Sequence, residues 1–111
     1  MPDSYASFEA LNKKRRILVV EDEIINQEIL RYMLEEEYDT LFAAGGEQAL
    51  GMVQKYADTL SLILLDLNLP DMHGLDVLRR VKENQYFSRI PVIVMTAEKR
   101  SEEHTSELQS R

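Results

Sequence analysis

The sequence predicts one α/β domain in which an open parallel sheet is covered by helices on both faces. Three aliphatic runs support this fold class: "ILVV" at 17–20, "LILL" at 62–65 and "PVIVMT" at 91–96. None of them alternates apolar with polar residues, and such continuous runs are typical of parallel strands buried on both faces. Segments with apolar residues at helical spacing lie between the strands, which is the order that α/β domains show. The 111 residues suffice for one small domain.

Strands and helices alternate along the whole predicted domain. In chain order, we expect a strand at 17–20, a helix at about 24–36, a strand at 39–43, a helix around 49–57, a strand at 62–65, a helix around 75–81 and a strand at 91–96. Gly45 and Gly46 end the second strand, and Pro70 and Gly74 bound the loop after the third. Right-handed connections between such strands give an open sheet, in which ligands bind at the carboxyl ends of the strands.

Composition and charge exclude several classes of function. The chain has no cysteine, so disulfides and thiolate metal sites are excluded. The formal net charge of -7 disfavours direct nucleic-acid binding, which needs a basic face. The basic run at 13–16 is interpreted as a solvated flank of the first strand. The chain shows neither an apolar run of roughly 18 residues nor a signal-peptide core at its N-terminus, so we expect a cytoplasmic protein with no membrane partner.

Acidic side chains directly follow two of the predicted strands. Glu21 and Asp22 come after the first strand, and Asp66 comes after the third. If these strands are neighbours, the three carboxylates meet at one edge of the sheet and repel one another. A hard divalent cation such as Mg²⁺ offsets that repulsion, and a carboxylate beside Mg²⁺ can accept a phosphoryl group. Thr96 adds a hydroxyl at the end of the fourth strand. Helix capping by the acidic pair and turn formation by Asp66 are the structural alternatives.

Three motifs together resemble the receiver domain of two-component response regulators: "ILVVEDE", "LILLDLNLPDMHG" and "PVIVMTA". They follow the order and usual spacing of that family over about residues 16–98. The resemblance implies a flavodoxin-like fold with Asp66 as the phosphoacceptor. The implied ligands of a Mg²⁺ ion are Glu21, Asp22, Asp66 and the backbone carbonyl of Asn68. The resemblance also implies that Thr96 hydrogen-bonds the phosphoryl oxygen and changes rotamer on phosphorylation.

The same resemblance predicts a phosphoacceptor module rather than an enzyme. Its phosphoryl donor would be a histidine kinase or a phosphotransfer protein, and phosphorylation would switch a partner protein or an output domain. One alternative is a metal-dependent phosphatase of the haloacid-dehalogenase type, which also uses an Asp nucleophile at a strand end. Such phosphatases need a second Asp where this chain has Asn68. The other alternative is a pseudo-receiver that binds partners without being phosphorylated.

The chain departs from the receiver pattern after the fourth strand. Receivers continue into a fourth helix, a fifth strand followed by Lys-Pro, and a fifth helix, whereas "MTAEK" is here followed by "RSEEHTSELQSR". Residues 100–110 resemble an in-frame translation of a common sequencing-library adapter. We therefore expect an N-terminal extension at 1–15, a partial receiver at 16–99 that is truncated after the fourth strand, and a non-native tail at 100–111. Without the lysine, the chain should accept a phosphoryl group slowly, and the fourth strand should form an exposed edge.

Overall fold

The computed structural model describes residues 14–95 of the chain. Its elements are β1 (Arg15–Val20), α1 (Ile24–Leu34), β2 (Tyr38–Ala43), α2 (Gly46–Tyr56), β3 (Leu60–Asp66), α3 (Gly74–Glu83) and β4 (Val92–Met95). The alternation of strands and helices that the sequence predicts is confirmed over this range. The extension before residue 14, Thr96 and the predicted tail lie outside the described residues, so what we expect of them stays a prediction.

The four strands form one parallel sheet in the order β2-β1-β3-β4. The chain moves outward from β1 to β2 and then returns to place β3 on the other side of β1, so the direction of progression reverses between β1 and β3. In open α/β sheets, ligands bind outside the carboxyl ends of the strands at such a reversal. The first and third strands are neighbours, which is the condition under which the acidic side chains meet, and Val20 lies opposite Leu65 at this edge.

The main hydrophobic core lies between one face of the sheet and helices α2 and α3. Leu18 and Ile63 are paired in neighbouring strands and almost completely buried, and they belong to one cluster with Val53 of α2 and Val77 of α3. Helix α1 packs over the opposite face, where the guanidinium carbon of Arg31 lies 4.7 Å from the centre of the ring of Phe42. Alternate residues of a strand face opposite sides of the sheet. Helices therefore pack on both faces, as the continuous apolar runs predict.

Most element boundaries differ from the predicted ones by a few residues, and those of the third strand and the first helix have a clear physical reason. The third strand begins at Leu60, because Leu60 pairs with Arg16 across a register shift in β1, and it extends through Asp66. The first helix ends at Leu34, since the N–H of Glu37 bonds the Leu34 carbonyl in a turn, 3.1 Å from N to O. Asp66 is therefore the last residue of a strand, with its backbone held in register with Met95 of β4.

Strand β4 lies at one edge of the sheet that residues 14–95 form. It pairs with β3, and the side chain of Ile93 is 52% exposed although it stands in the middle of the strand. Among the helices of this same range, none is long and apolar enough to cross a lipid bilayer.

Candidate functional site

The acidic pair after β1 is anchored to the sheet through its first member. The backbone N–H of Glu21 donates to the carbonyl oxygen of Ala43 at the end of β2, over 2.9 Å. This bond continues the ladder between β1 and β2 by one residue and fixes where the following side chains start. Glu21 is only 5% exposed, whereas Asp22 is exposed.

The carboxylate of Glu21 is buried but not unpaired. Its Oε2 atom accepts hydrogen bonds from the backbone N–H of Glu23 at 3.1 Å and from the Nδ2 amide of Asn26 at 3.3 Å. Burial raises the pKa of Glu21 above its ordinary value, and the charges of Asp66 and Asp22 raise it further, whereas the two hydrogen bonds lower it. The net shift is upward, so ionised Glu21 costs the folded protein free energy.

The first turn of α1 holds Glu21 from the helix side. Asn26 also donates to Oε1 of Glu23 at 3.0 Å, and the Nε2 amide of Gln27 donates to the backbone carbonyl of Glu21 at 2.6 Å. Neither Asn26 nor Gln27 is among the residues that the sequence predicts for the site. The sequence signal that could have identified them is a pair of amide side chains at the start of the helix that directly follows the acidic cluster.

The end of β3 presents the third carboxylate. Asp66 is half-buried, and its Oδ1 atom accepts the backbone N–H of Asn68 over 3.0 Å. The loop then closes on itself, because Asn68 forms an antiparallel bridge with His73 and the N–H of Gly74 bonds the Leu67 carbonyl at 2.8 Å. Asp66 thus takes part in a turn, which is the structural alternative that the sequence leaves open, and it also lies at the edge of the sheet.

Three of the predicted site residues meet at this edge. Glu21, Asp22 and Asp66 each offer one carboxylate oxygen, and these oxygens lie within 4.8 Å of one another. Oxygen donors of this kind suit Mg²⁺, which binds one or two carboxylates and retains several waters. The donor set therefore fits a hard divalent cation, and such an ion would offset the repulsion among the three charges. Thr96 follows the last described residue of β4, so its position is not part of this geometry.

The structure also gives roles to two residues of the loop after Asp66. His73 caps α3, since its Nδ1 atom accepts the backbone N–H of Leu75 at 3.1 Å. Asp71 accepts two backbone N–H groups from the start of α2, and these bonds, led by that of Glu47 and then that of Gly46, lower the pKa of Asp71. Asp71 is not among the residues that the sequence predicts for the site, because its partners lie 25 and 24 residues earlier in the chain.

Comparison with known proteins identifies the family. The profile of the response regulator receiver domain matches residues 17–110 of the chain. The chain belongs to this family. The matched range includes residues 100–110, and their interpretation as a non-native tail stays a prediction.

Two curated relatives indicate what the receiver is similar to. A probable transcriptional regulatory protein of Picosynechococcus sp. is 38% identical over 93 residues, which cover 78% of this chain and 36% of that protein. The polar-differentiation response regulator DivK of Brucella ovis is 32% identical over 84 residues, which cover 75% of this chain and 67% of that protein. The receiver chain thus spans about a third of the first relative and about two thirds of the second.

A solved structure confirms the predicted fold class and bears on the metal. The receiver domain of a sensor histidine kinase from Pseudomonas aeruginosa PAO1, with a magnesium ion coordinated in its active-site cleft, matches with a TM-score of 0.72. It is 30% identical, and the match covers 78% of this chain and 70% of that one. Receiver domains are the phosphoacceptor modules of two-component signalling. The acidic cluster of this receiver could hold a metal ion.

Proposed function

We propose that Asp66 is the phosphoacceptor of this receiver and takes its phosphoryl group from a phosphohistidine. The donor would be a histidine kinase or a phosphotransfer protein in the cytoplasm. The observation that carries the proposal is the convergence of the carboxylates of Glu21, Asp22 and Asp66 at the carboxyl edge of the sheet. Asp66 is the member of this cluster that terminates a strand and is half-buried, so it combines a backbone held in the sheet with a carboxylate that a donor can reach.

The reaction needs one free carboxylate oxygen on Asp66. Oδ1 is engaged by the N–H of Asn68, which leaves Oδ2 to attack the phosphorus. The new bond joins Oδ2 to phosphorus while the phosphorus–nitrogen bond of the donor breaks, and the departing imidazole takes up a proton. The product is an aspartyl phosphate, which makes the module a stoichiometric acceptor.

The proposed ligands of Mg²⁺ are Glu21, Asp22, Asp66 and the backbone carbonyl of Asn68. When bound, Mg²⁺ would neutralise charge on the transferring phosphoryl group, which is the chief requirement of phosphoryl transfer. The protein's own part is to hold the oxygens in place. Asn26 and Glu23 orient the carboxylate of Glu21, and the ladder bond of Glu21 to Ala43 fixes its backbone.

Phosphorylation would then act on a partner through Thr96. We propose that its hydroxyl, just beyond β4, hydrogen-bonds the phosphoryl oxygen and changes rotamer, and that this switches a partner protein or an output domain. Asn68 disfavours the phosphatase alternative, because its amide cannot serve as the second acid and base that a haloacid-dehalogenase mechanism needs. The three carboxylates together disfavour a pseudo-receiver.

The test is phosphorylation of the chain by acetyl phosphate, followed by intact-mass measurement over several hours. We expect a single phosphoryl group that appears only with Mg²⁺ and disappears on treatment with hydroxylamine. Asp66→Asn should not be labelled, because it lacks the nucleophilic oxygen. Asp39→Asn is the matched control, since Asp39 lies at the amino end of β2 and pairs with Arg16 at 2.8 Å. Equal labelling of Asp66→Asn and wild type, or an unlabelled wild type, would refute the assignment.

A further inference from the structure

The loop between β3 and α3 is held against α2 as well as against itself. Asp71, midway along this loop, accepts the backbone N–H of Gly46 through Oδ1 at 2.8 Å and that of Glu47 through Oδ2 at 3.0 Å. These donors are in the first turn of α2, whose N-cap residue is Gly45. A glycine has no side chain with which to cap the helix, so Asp71 supplies the cap from another part of the chain.

The contact between loop and helix leaves no room for a Cβ atom at the start of α2 unless side chains of the loop move. A Cβ atom at Gly45 would lie 2.9 Å from Oδ1 of Asp71, and one at Gly46 would lie 2.5 Å from the sulfur of Met72. A Cβ atom at Gly51, in the middle of the same helix, would meet nothing within 4 Å. The start of α2 is therefore shaped to receive the 71–72 segment, whereas the middle of the helix is open.

The same loop carries Asn68, whose backbone carbonyl is a proposed ligand of the metal ion. Asn68 is fixed at one end by its N–H bond to Asp66 and bridges to His73 across the loop. Asp71 stands between Asn68 and His73, so its bond to α2 fixes the orientation of the closed loop as a unit. Hydrogen bonds to a carboxylate are stronger than neutral ones, and a helix N-terminus attracts negative charge.

We propose that Asp71 is a positioning residue for metal binding: by capping α2, it holds the loop so that the Asn68 carbonyl can reach the ion held by the acidic cluster. This rests on the proposed metal site of Asp66. Asp71 does not touch the ion. Its effect passes through the backbone of the loop, and α2 is thereby coupled to the phosphoacceptor site although it contributes no ligand.

The experiment measures binding of Mn²⁺ to the full chain by the loss of the free-ion electron paramagnetic resonance signal. We expect Asp71→Ala to weaken Mn²⁺ affinity by about tenfold, the lower end of the effect seen when a residue supporting a metal ligand is removed. Asp71→Asn should show a smaller loss, because its amide oxygen still accepts one of the two N–H groups. The amide exchange of Gly46 and Glu47 should speed up in the same order.

Three further variants separate positioning from charge and from stability. Gly46→Ala keeps every charge but displaces Met72, so it should weaken Mn²⁺ binding as Asp71→Ala does, whereas Gly51→Ala should not. Asp39→Asn removes one negative charge and an ion pair at the opposite edge of the sheet, and it should lower the melting temperature without changing the affinity for Mn²⁺.

The outcomes distinguish this inference from the proposed function. If wild type binds Mn²⁺ and Asp66→Asn does not, the metal site stands. In that case unchanged affinity in folded Asp71→Ala or Asp71→Asn overturns the role of Asp71 alone. Failure of both Asp71 variants to fold would also overturn it, because Asp71 would then be a stability residue. If wild type does not bind Mn²⁺, the proposed metal site fails, and the positioning role fails with it.

Discussion

Replacing Glu21 by glutamine should stabilise the metal-free protein and abolish most of its stabilisation by Mg²⁺. Glutamine keeps the shape of the side chain and an oxygen that can accept the N–H of Glu23 and the amide of Asn26. It removes a charge that is 5% exposed and lies within 4.8 Å of two other carboxylates. The substitution therefore isolates the electrostatic cost of the cluster.

The size of the effect follows from the separation of the charges. Two unit charges about 4.8 Å apart repel by about 1 kcal/mol in a water-like dielectric and by about 3.5 kcal/mol at an effective dielectric constant of about 20. Asp22 is exposed and Asp66 half-buried, so values near the lower limit apply to the two pairs. We expect Glu21→Gln to raise the free energy of unfolding by about 1–2 kcal/mol at pH 7, or the melting temperature by about 5–10 °C.

The effect should depend on pH in a defined direction. Because the pKa of Glu21 is raised above 4.5, chiefly by burial, the folded state binds a proton more tightly than the unfolded state does. The cost of ionised Glu21 is thus absent below pH 4.5 and grows as the pH rises through the folded pKa. The difference in melting temperature between Glu21→Gln and wild type should therefore shrink as the pH falls towards 4.5.

The assay is thermal unfolding followed by circular dichroism, in EDTA and in excess Mg²⁺. Wild type should gain stability with Mg²⁺, since the ion binds only the folded state, whereas Glu21→Gln should gain much less. The matched control is Glu36→Gln, an exposed acid in the turn after α1, for which a change within about 0.5 kcal/mol is expected. A Glu21→Gln protein less stable than wild type in EDTA at pH 7, yet fully responsive to Mg²⁺, would contradict the reasoning.

Two further predictions concern the core and the loop. Ile63→Val should lower the free energy of unfolding in urea by about 1 kcal/mol, because Ile63 is 1% exposed. Ile93→Val, on the neighbouring strand and 52% exposed, should lower it by a few tenths of a kcal/mol at most. Equal losses would mean that the core is misplaced. Gly74→Ala should destabilise the fold and reduce phosphorylation of Asp66, because a Cβ there would lie 2.5 Å from the Asp66 carbonyl oxygen and neither backbone can move aside easily. Gly51→Ala is the control for Gly74→Ala and should stabilise α2 by up to about 1 kcal/mol; a neutral Gly74→Ala would show that the loop yields.

The sequence predicts the architecture because the signals for it are local. Continuous apolar runs identify the strands and helical spacing identifies the helices, and neither depends on contacts distant in the chain. The extension of β3 back to Leu60 is different, since it depends on pairing with Arg16 across a register shift. No sequence pattern around residue 60 predicts that pairing, so the start of β3 is evident only from the structure.

The site residues also divide into those that local sequence signals predict and those that depend on distant contacts. Glu21, Asp22 and Asp66 are predictable because each follows an apolar run, and the carboxyl ends of neighbouring parallel strands lie at one edge. The bonds of Asp71 to Gly46 and Glu47 are not, because the donors are 25 and 24 residues away and the acid in the loop looks like any solvated acid. The burial of Glu21 is also a tertiary property, since nothing in the run Glu21-Asp22-Glu23 distinguishes the buried acid from the two exposed ones.

The edge that carries the acids is also the edge at which all three described helices begin. Each helix is the next element after a strand, so the N-termini at Ile24, Gly46 and Gly74 lie near the carboxyl ends of the sheet. Helix N-termini carry partial positive charge and unpaired N–H groups. In a parallel α/β fold, the connection order therefore creates a positive frame around the place where Glu21 and Asp66 meet. That frame offsets part of the repulsion before any metal binds, and at α2 it is already engaged by a carboxylate, because Asp71 accepts two of its free N–H groups.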